Sequence, residues 1–127
     1  MEVINVIVAA VAAYGFGAAW YTTLAKPWME GAGVTEEQVK SGSKAAYVIS
    51  FVMLLIVAGM MRHIFALGGI DTLGKGLMSG LGLGLFIVAP WIVTNYAYSM
   101  RPRQLTLIDC GYAVGGCTVT GIVLTLF

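Results

Sequence analysis

An all-α integral membrane fold, a four-transmembrane-helix bundle with one short interfacial helix in its first loop, is predicted by three observations. Hydrophobic residues make up 59% of the 127-residue chain and charged residues only 10%, with a mean hydropathy of +0.89, more apolar surface than a soluble domain of this size could hide. The apolar residues fall into four runs close to the ~20 residues that a bilayer crossing needs. The connections between those runs are short and hold most of the charges. The chain therefore reads as a single domain, 1–127, with spans at about 4–24, 45–65, 74–98 and 105–127 and the lipid bilayer as its solvent.

The first span begins almost at the start of the chain. Glu2 stands where a signal peptide would carry basic residues, and the apolar stretch is longer than such a peptide's core, so the span is expected to be retained as an anchor. Ala9, Ala13 and Gly17 recur at four-residue spacing and offer a flat surface for another helix. Trp20, Tyr21 and Trp28 mark the far end as a membrane interface, because amphipathic rings favour headgroup depth. Lys26-Pro27 is expected to stop the helix there.

Residues 25–44 form the longest loop. Thr35-Glu36-Glu37-Gln38 fits a capping box, with Thr35 as the cap and Gln38 at the third helical position, so a short helix is expected at the membrane surface. Its carboxylates suit the positive end of the helix dipole. The second span starts at Ala45 and runs to Met61, or to Leu67 if Arg62 snorkels to the interface. His63 beside it is read as an interfacial cap, since it is the sole histidine and no second one completes a metal site. Gly68-Gly69 and Asp71-Thr72 form the next turn.

The third span carries the strongest packing signal. Gly76, Gly80 and Gly84 make a tandem GxxxG row along which two helices can meet backbone to backbone. Pro90 removes a backbone donor and is expected to bend the helix near Phe86, freeing a carbonyl for a partner. The fourth span answers with Gly111 and Gly115 on one row and Ala113, Cys117 and Gly121 on a neighbouring one, which implies close packing of the third and fourth helices. Cys110 and Cys117 are seven residues apart on one helix, roughly 10 Å at 1.5 Å per residue, too far for a disulfide, and they are read as small packing residues.

Between these spans lies Asn95 to Tyr112, NYAYSMRPRQLTLIDCGY, a tight turn with Arg101 and Arg103 at its tip. Asp109 lies just inside the apolar run that follows. A buried carboxylate costs roughly 2.5–3.5 kcal/mol at mid-span and less near the interface, so something should offset it. The expected partners form a polar cluster: Arg101 or Arg103 folding back, Asn95 donating from the same level, Tyr96, and Tyr112 one turn further along. Three roles stay open for Asp109: a polar staple that fixes the hairpin, a proton- or ligand-binding carboxylate, or a contact to another subunit.

The seven Lys and Arg residues are scattered and the net charge is +1, which gives no footprint for nucleic acid. Lys26, Lys40, Lys44, Arg101 and Arg103 share one side of a four-span chain, against Arg62 and Lys75 on the other, and five against two predicts both termini outside. No phosphate loop, zinc-protease helix, nucleophile elbow or intramembrane carboxylate pair is present, so catalysis, a metal site and a cofactor are not expected.

With those elements in place, the chain resembles a bacterial membrane-protein family of unknown function, numbered 1761. The likeness rests on Gly17-Ala18-Ala19-Trp20-Tyr21, Lys26-Pro27-Trp28, Gly33-Val34-Thr35-Glu36-Glu37, Asn95-Tyr96, and Leu107-Ile108-Asp109-Cys110-Gly111-Tyr112, in this order over nearly the whole length. It implies a four-helix integral membrane protein in a bacterial envelope, for which the inner membrane is the expected location, and supplies no activity or catalytic residue. Two functional classes stand in front: a scaffold or accessory subunit that packs against other membrane proteins through its Gly/Ala faces, and an oligomeric small transporter or channel that uses Asp109. A membrane enzyme ranks last, for want of a catalytic constellation.

Overall fold

The computed structural model describes residues 2–42 and 44–127, and these are almost wholly helical. In chain order the helices are α1 (Glu2–Thr23), α2 (Ala25–Ala32), α3 (Glu36–Ser41), α4 (Ala45–Gly68), α5 (Leu73–Leu83), a π-helical turn (Gly84–Val88), α6 (Ala89–Tyr98) and α7 (Arg103–Leu124). Four of the resulting rods are long and apolar enough to cross a membrane: Val3–Thr23, Ala45–Gly68, Leu73–Tyr98 and Arg103–Leu124. The protein is an all-α membrane bundle.

Two boundaries differ from the sequence expectation. Pro27 does not stop the first helix. The chain breaks earlier, at Leu24, and helix resumes at Ala25 with Pro27 inside the first turn of α2, where a missing N–H leaves no ladder bond unmade. Pro90 does not produce a simple bend either. The helix widens into the π turn just before it, and the Ala89 N–H reaches back five residues to the Gly84 carbonyl, which threads the proline into an otherwise continuous rod. In the loop, Thr35 accepts from the Gln38 N–H while the Gln38 side chain accepts from the Thr35 N–H, closing the capping box of α3.

α7 is the axis of the bundle. Of its most apolar window 44% is buried, against 17–28% for the other three spans, and it packs against α1, α2, α5, the π turn and α6, whereas α4 rests chiefly on α1. Lipid offers no hydrophobic drive between helices, so close van der Waals contact must do the work. Two faces of α7 provide it. Along one, the glycines of the third span sit directly on its backbone: a Cβ at Gly76 would fall 2.5 Å from the Gly121 oxygen, at Gly80 3.1 Å from the Cys117 carbonyl carbon, and at Gly84 2.7 Å from the Val114 Cα. Along the other, Gly111 and Gly115 receive aromatic rings of α1, with Trp20 Cζ2 2.5 Å and Phe16 Cε2 2.6 Å from where a Cβ would stand. Ala9 and Ala13 of α1 are fully buried, and Ala9 joins Ala58, Met61, Phe65, Cys117 and Leu124 in the core at the end of the bundle that holds the chain termini. There Asn5 Nδ2 donates to the Phe127 carbonyl at 3.0 Å.

Candidate functional site

At the opposite end α1, α6 and α7 converge on one carboxylate. The α6–α7 hairpin that sets it up closes as a Schellman turn: the Arg101 N–H donates to the Tyr96 carbonyl at 2.9 Å and the Met100 N–H to Ala97 at 3.2 Å. Such a turn requires a left-handed residue, and Met100, φ 56°, takes that place where glycine is usual. Pro102 follows and α7 starts at Arg103. Asp109, six residues on, therefore lies roughly 9 Å along the α7 axis from its first residue.

Both oxygens of Asp109 are capped by phenols. The Tyr21 hydroxyl donates to Oδ1 at 2.6 Å and the Tyr96 hydroxyl to Oδ2 at 2.5 Å. One side chain thus ties the end of α1 to the end of α6 through α7. Competition from water for these bonds falls with burial. The surroundings hold the clamp in register. Trp20 Nε1 donates to the Ile108 carbonyl at 2.9 Å, one residue before the carboxylate. Tyr112, one turn beyond it, lies against Tyr21 at 5.2 Å between centroids and is stacked on Phe16 at 6.5 Å. Its ring also covers Gly17, where a Cβ would come within 2.7 Å. Trp28 meets Tyr21 edge-on at 6.1 Å. α2 then folds back over the start of α7, with Gln104 Nε2 donating to the Pro27 carbonyl at 2.6 Å and Gly31 close against Leu105.

The expected polar cluster is corrected in three of its members. Tyr96 binds Asp109, but Asn95 does not: its side chain faces out, and its carbonyl accepts from Ser99. Neighbours on a helix point about 100° apart, so Tyr96 and Asn95 could not both face the same carboxylate. Arg101 and Arg103 are exposed, and among the described residues neither makes an ion pair with Asp109. A charged guanidinium left exposed at a hairpin tip keeps its hydration, whereas burying it against the carboxylate would cost that hydration. Tyr21 and Trp20, expected as interface aromatics, also bond to α7. What could have flagged Tyr21 is a phenol at the end of one span matched in level to a carboxylate near the start of another.

The arrangement suits holding helices together more than chemistry. No group of three or more His, Cys, Asp or Glu residues gathers among the described residues. Two shallow surface grooves are present, one lined by Phe86, Ile87, Pro90, Trp91 and Thr94, the other by Phe16, Ala19, Trp20, Thr23 and Leu24. Asp109 lines neither.

Compared with known proteins, the chain matches over residues 4–125 the model of the family described as protein of unknown function, DUF1761. No curated protein and no solved structure matches it.

Proposed function

The chain belongs to this family of unknown function, and from that premise we propose that it is a scaffold or accessory subunit of a bacterial inner-membrane assembly. The observation that carries the reading is the clamp itself: a membrane carboxylate with both oxygens committed to phenols on two other helices works as a fastener. The glycine rows that could have received partners are occupied within the chain by α7 and by the aromatic rings of α1. Contact with other subunits then falls to the remaining outer surface, part of it on α4, whose Val48, Val52, Ile56 and Met60 stand exposed. Five basic residues on the α2–α3 and hairpin side support an orientation with both termini outside. Extraction of the full chain in a mild detergent or in polymer-bounded native discs, followed by mass measurement, tests the reading. A stable complex with a second membrane protein supports it, and a chain recovered only alone or with copies of itself refutes it.

The second reading, an oligomeric transporter or channel using Asp109, is favoured by one observation: among the described residues the carboxylate is bonded by two phenols and by no cation. Proteoliposomes separate the two. Proton or cation flux lost in Asp109→Asn would support transport, and flux at the protein-free level in the parent chain would dismiss it.

A further inference from the structure

The groove on the outer face of the third rod combines two features that lipid cannot satisfy. The Ala89 N–H is already taken by the Gly84 carbonyl and Pro90 has no N–H, so the next backbone donor after Ala89 is Trp91. One N–H then faces the three carbonyls of Leu85, Phe86 and Ile87, and at least one of them is left without a backbone donor. Phe86 and Ile87 line the groove together with Pro90, Trp91 and Thr94. On the same face the Trp91 side chain is 66% exposed and Phe86 74%. Among the described residues, the Trp91 indole N–H has no acceptor. An unmade backbone bond in hydrocarbon costs several kcal/mol, and acyl chains have nothing to offer either group. Trp91 lies seven residues, roughly 10 Å, inside the end of α6 at Tyr98.

We propose that this groove seats a second copy of the chain, the Trp91 indole N–H of each copy donating to a carbonyl that Pro90 leaves free on the other. The levels agree when two copies insert the same way and are related by a two-fold axis along the membrane normal. Phe86 lies five residues, roughly 7.5 Å, before Trp91 on the axis. Helical side chains lean toward the N-terminus while carbonyls point toward the C-terminus, so the indole nitrogen of one copy and the Phe86 oxygen of the other approach one depth from opposite sides. Donor and acceptor occur on one patch, as an isologous contact requires, and Thr94 adds a hydroxyl at its rim. The pairing goes beyond the accessory role and leaves α4 free for it.

Two measurements on the full-length chain test this. In native membranes, oxidative crosslinking of Thr94→Cys is expected to give a covalent pair of identical chains well above the parent chain's background, while Val52→Cys on the outer face of α4 gives none. In lipid nanodiscs, mass measurement is expected to find two copies, and Trp91→Phe to weaken the pair about five- to tenfold, from two symmetric bonds at the ~0.6 kcal/mol typical of membrane hydrogen bonds, with the thermal melt of the single chain unchanged. A parent chain that stays single at every density, a Trp91→Phe pair as strong as the parent's, or a Thr94→Cys crosslink to a different protein would each overturn the pairing. A single chain recovered with a different membrane protein would refute the pairing and leave the accessory role standing; a pair without such a partner would do the reverse.

Discussion

Gly80→Ala offers the sharpest test of how the third and fourth spans are held. The added Cβ would overlap the Cys117 carbonyl oxygen and lie 3.1 Å from both the Cys117 carbonyl carbon and the Thr118 Cα, all of it backbone that cannot swing aside. Relief requires the helices to part by somewhat under ~1 Å, and a gap of that size forfeits a quarter to a half of each contact along the row. Overpacking of this kind costs about 1–3 kcal/mol. Helix propensity runs the other way, since alanine is better than glycine by about 1 kcal/mol inside a helix. Gly82→Ala removes that ambiguity: it lies two residues away on the same helix and its Cβ would meet nothing within 4 Å. Both variants share the propensity gain, so their difference isolates the clash. Reversible unfolding in mixed micelles, followed by circular dichroism, should place Gly80→Ala about 1–3 kcal/mol below Gly82→Ala. Equal stabilities would mean that the row does not sit on the α7 backbone.

The other expectations concern the hairpin end. Tyr21→Phe and Tyr96→Phe should each lower stability by ~0.6 to ~2 kcal/mol, and because both phenols serve one carboxylate the double variant should be non-additive by at least about 0.5 kcal/mol; strict additivity in the same unfolding assay would argue against a shared acceptor. Asn95→Ala, whose side chain faces outward, should change the melting free energy by no more than about 0.5 kcal/mol, and a larger loss would restore it to the cluster. Met100→Gly should stabilise by about 1 kcal/mol, since φ 56° strains a residue with a Cβ; a destabilised variant would show that the turn does not close this way.

The spans were legible because length and hydropathy are properties of the chain alone: the second expected span, 45–65, and the third, 74–98, fall on α4 and on Leu73–Tyr98 within three residues. Small-residue rows were legible for the same reason, but their partners were not. Gly111 and Gly115 lie next to Ala113, Cys117 and Gly121 in sequence, and only the placement of α1 beside α7 decides that the first row takes Phe16 and Trp20 while the second takes the third span. Asp109 stood out as a charge in an apolar run. Its partner Tyr21 is 88 residues away, and choosing between Asn95 and Tyr96 needs the rotation of a helix, which a single residue decides. Pro27 misled because the same ring that ends a helix from within also opens one from its first turn.

The most direct measurement is cysteine accessibility in intact cells, made with single cysteines at Ser41 and Ser99 at one end of the bundle and at Asp71 at the other. With four crossings, a membrane-impermeant maleimide added outside should label Asp71→Cys and leave Ser41→Cys and Ser99→Cys untouched until the membrane is opened. Labelling of Asp71→Cys and Ser99→Cys from the same side would contradict four lipid-crossing helices, and with them the carboxylate fastened at one end of the bundle.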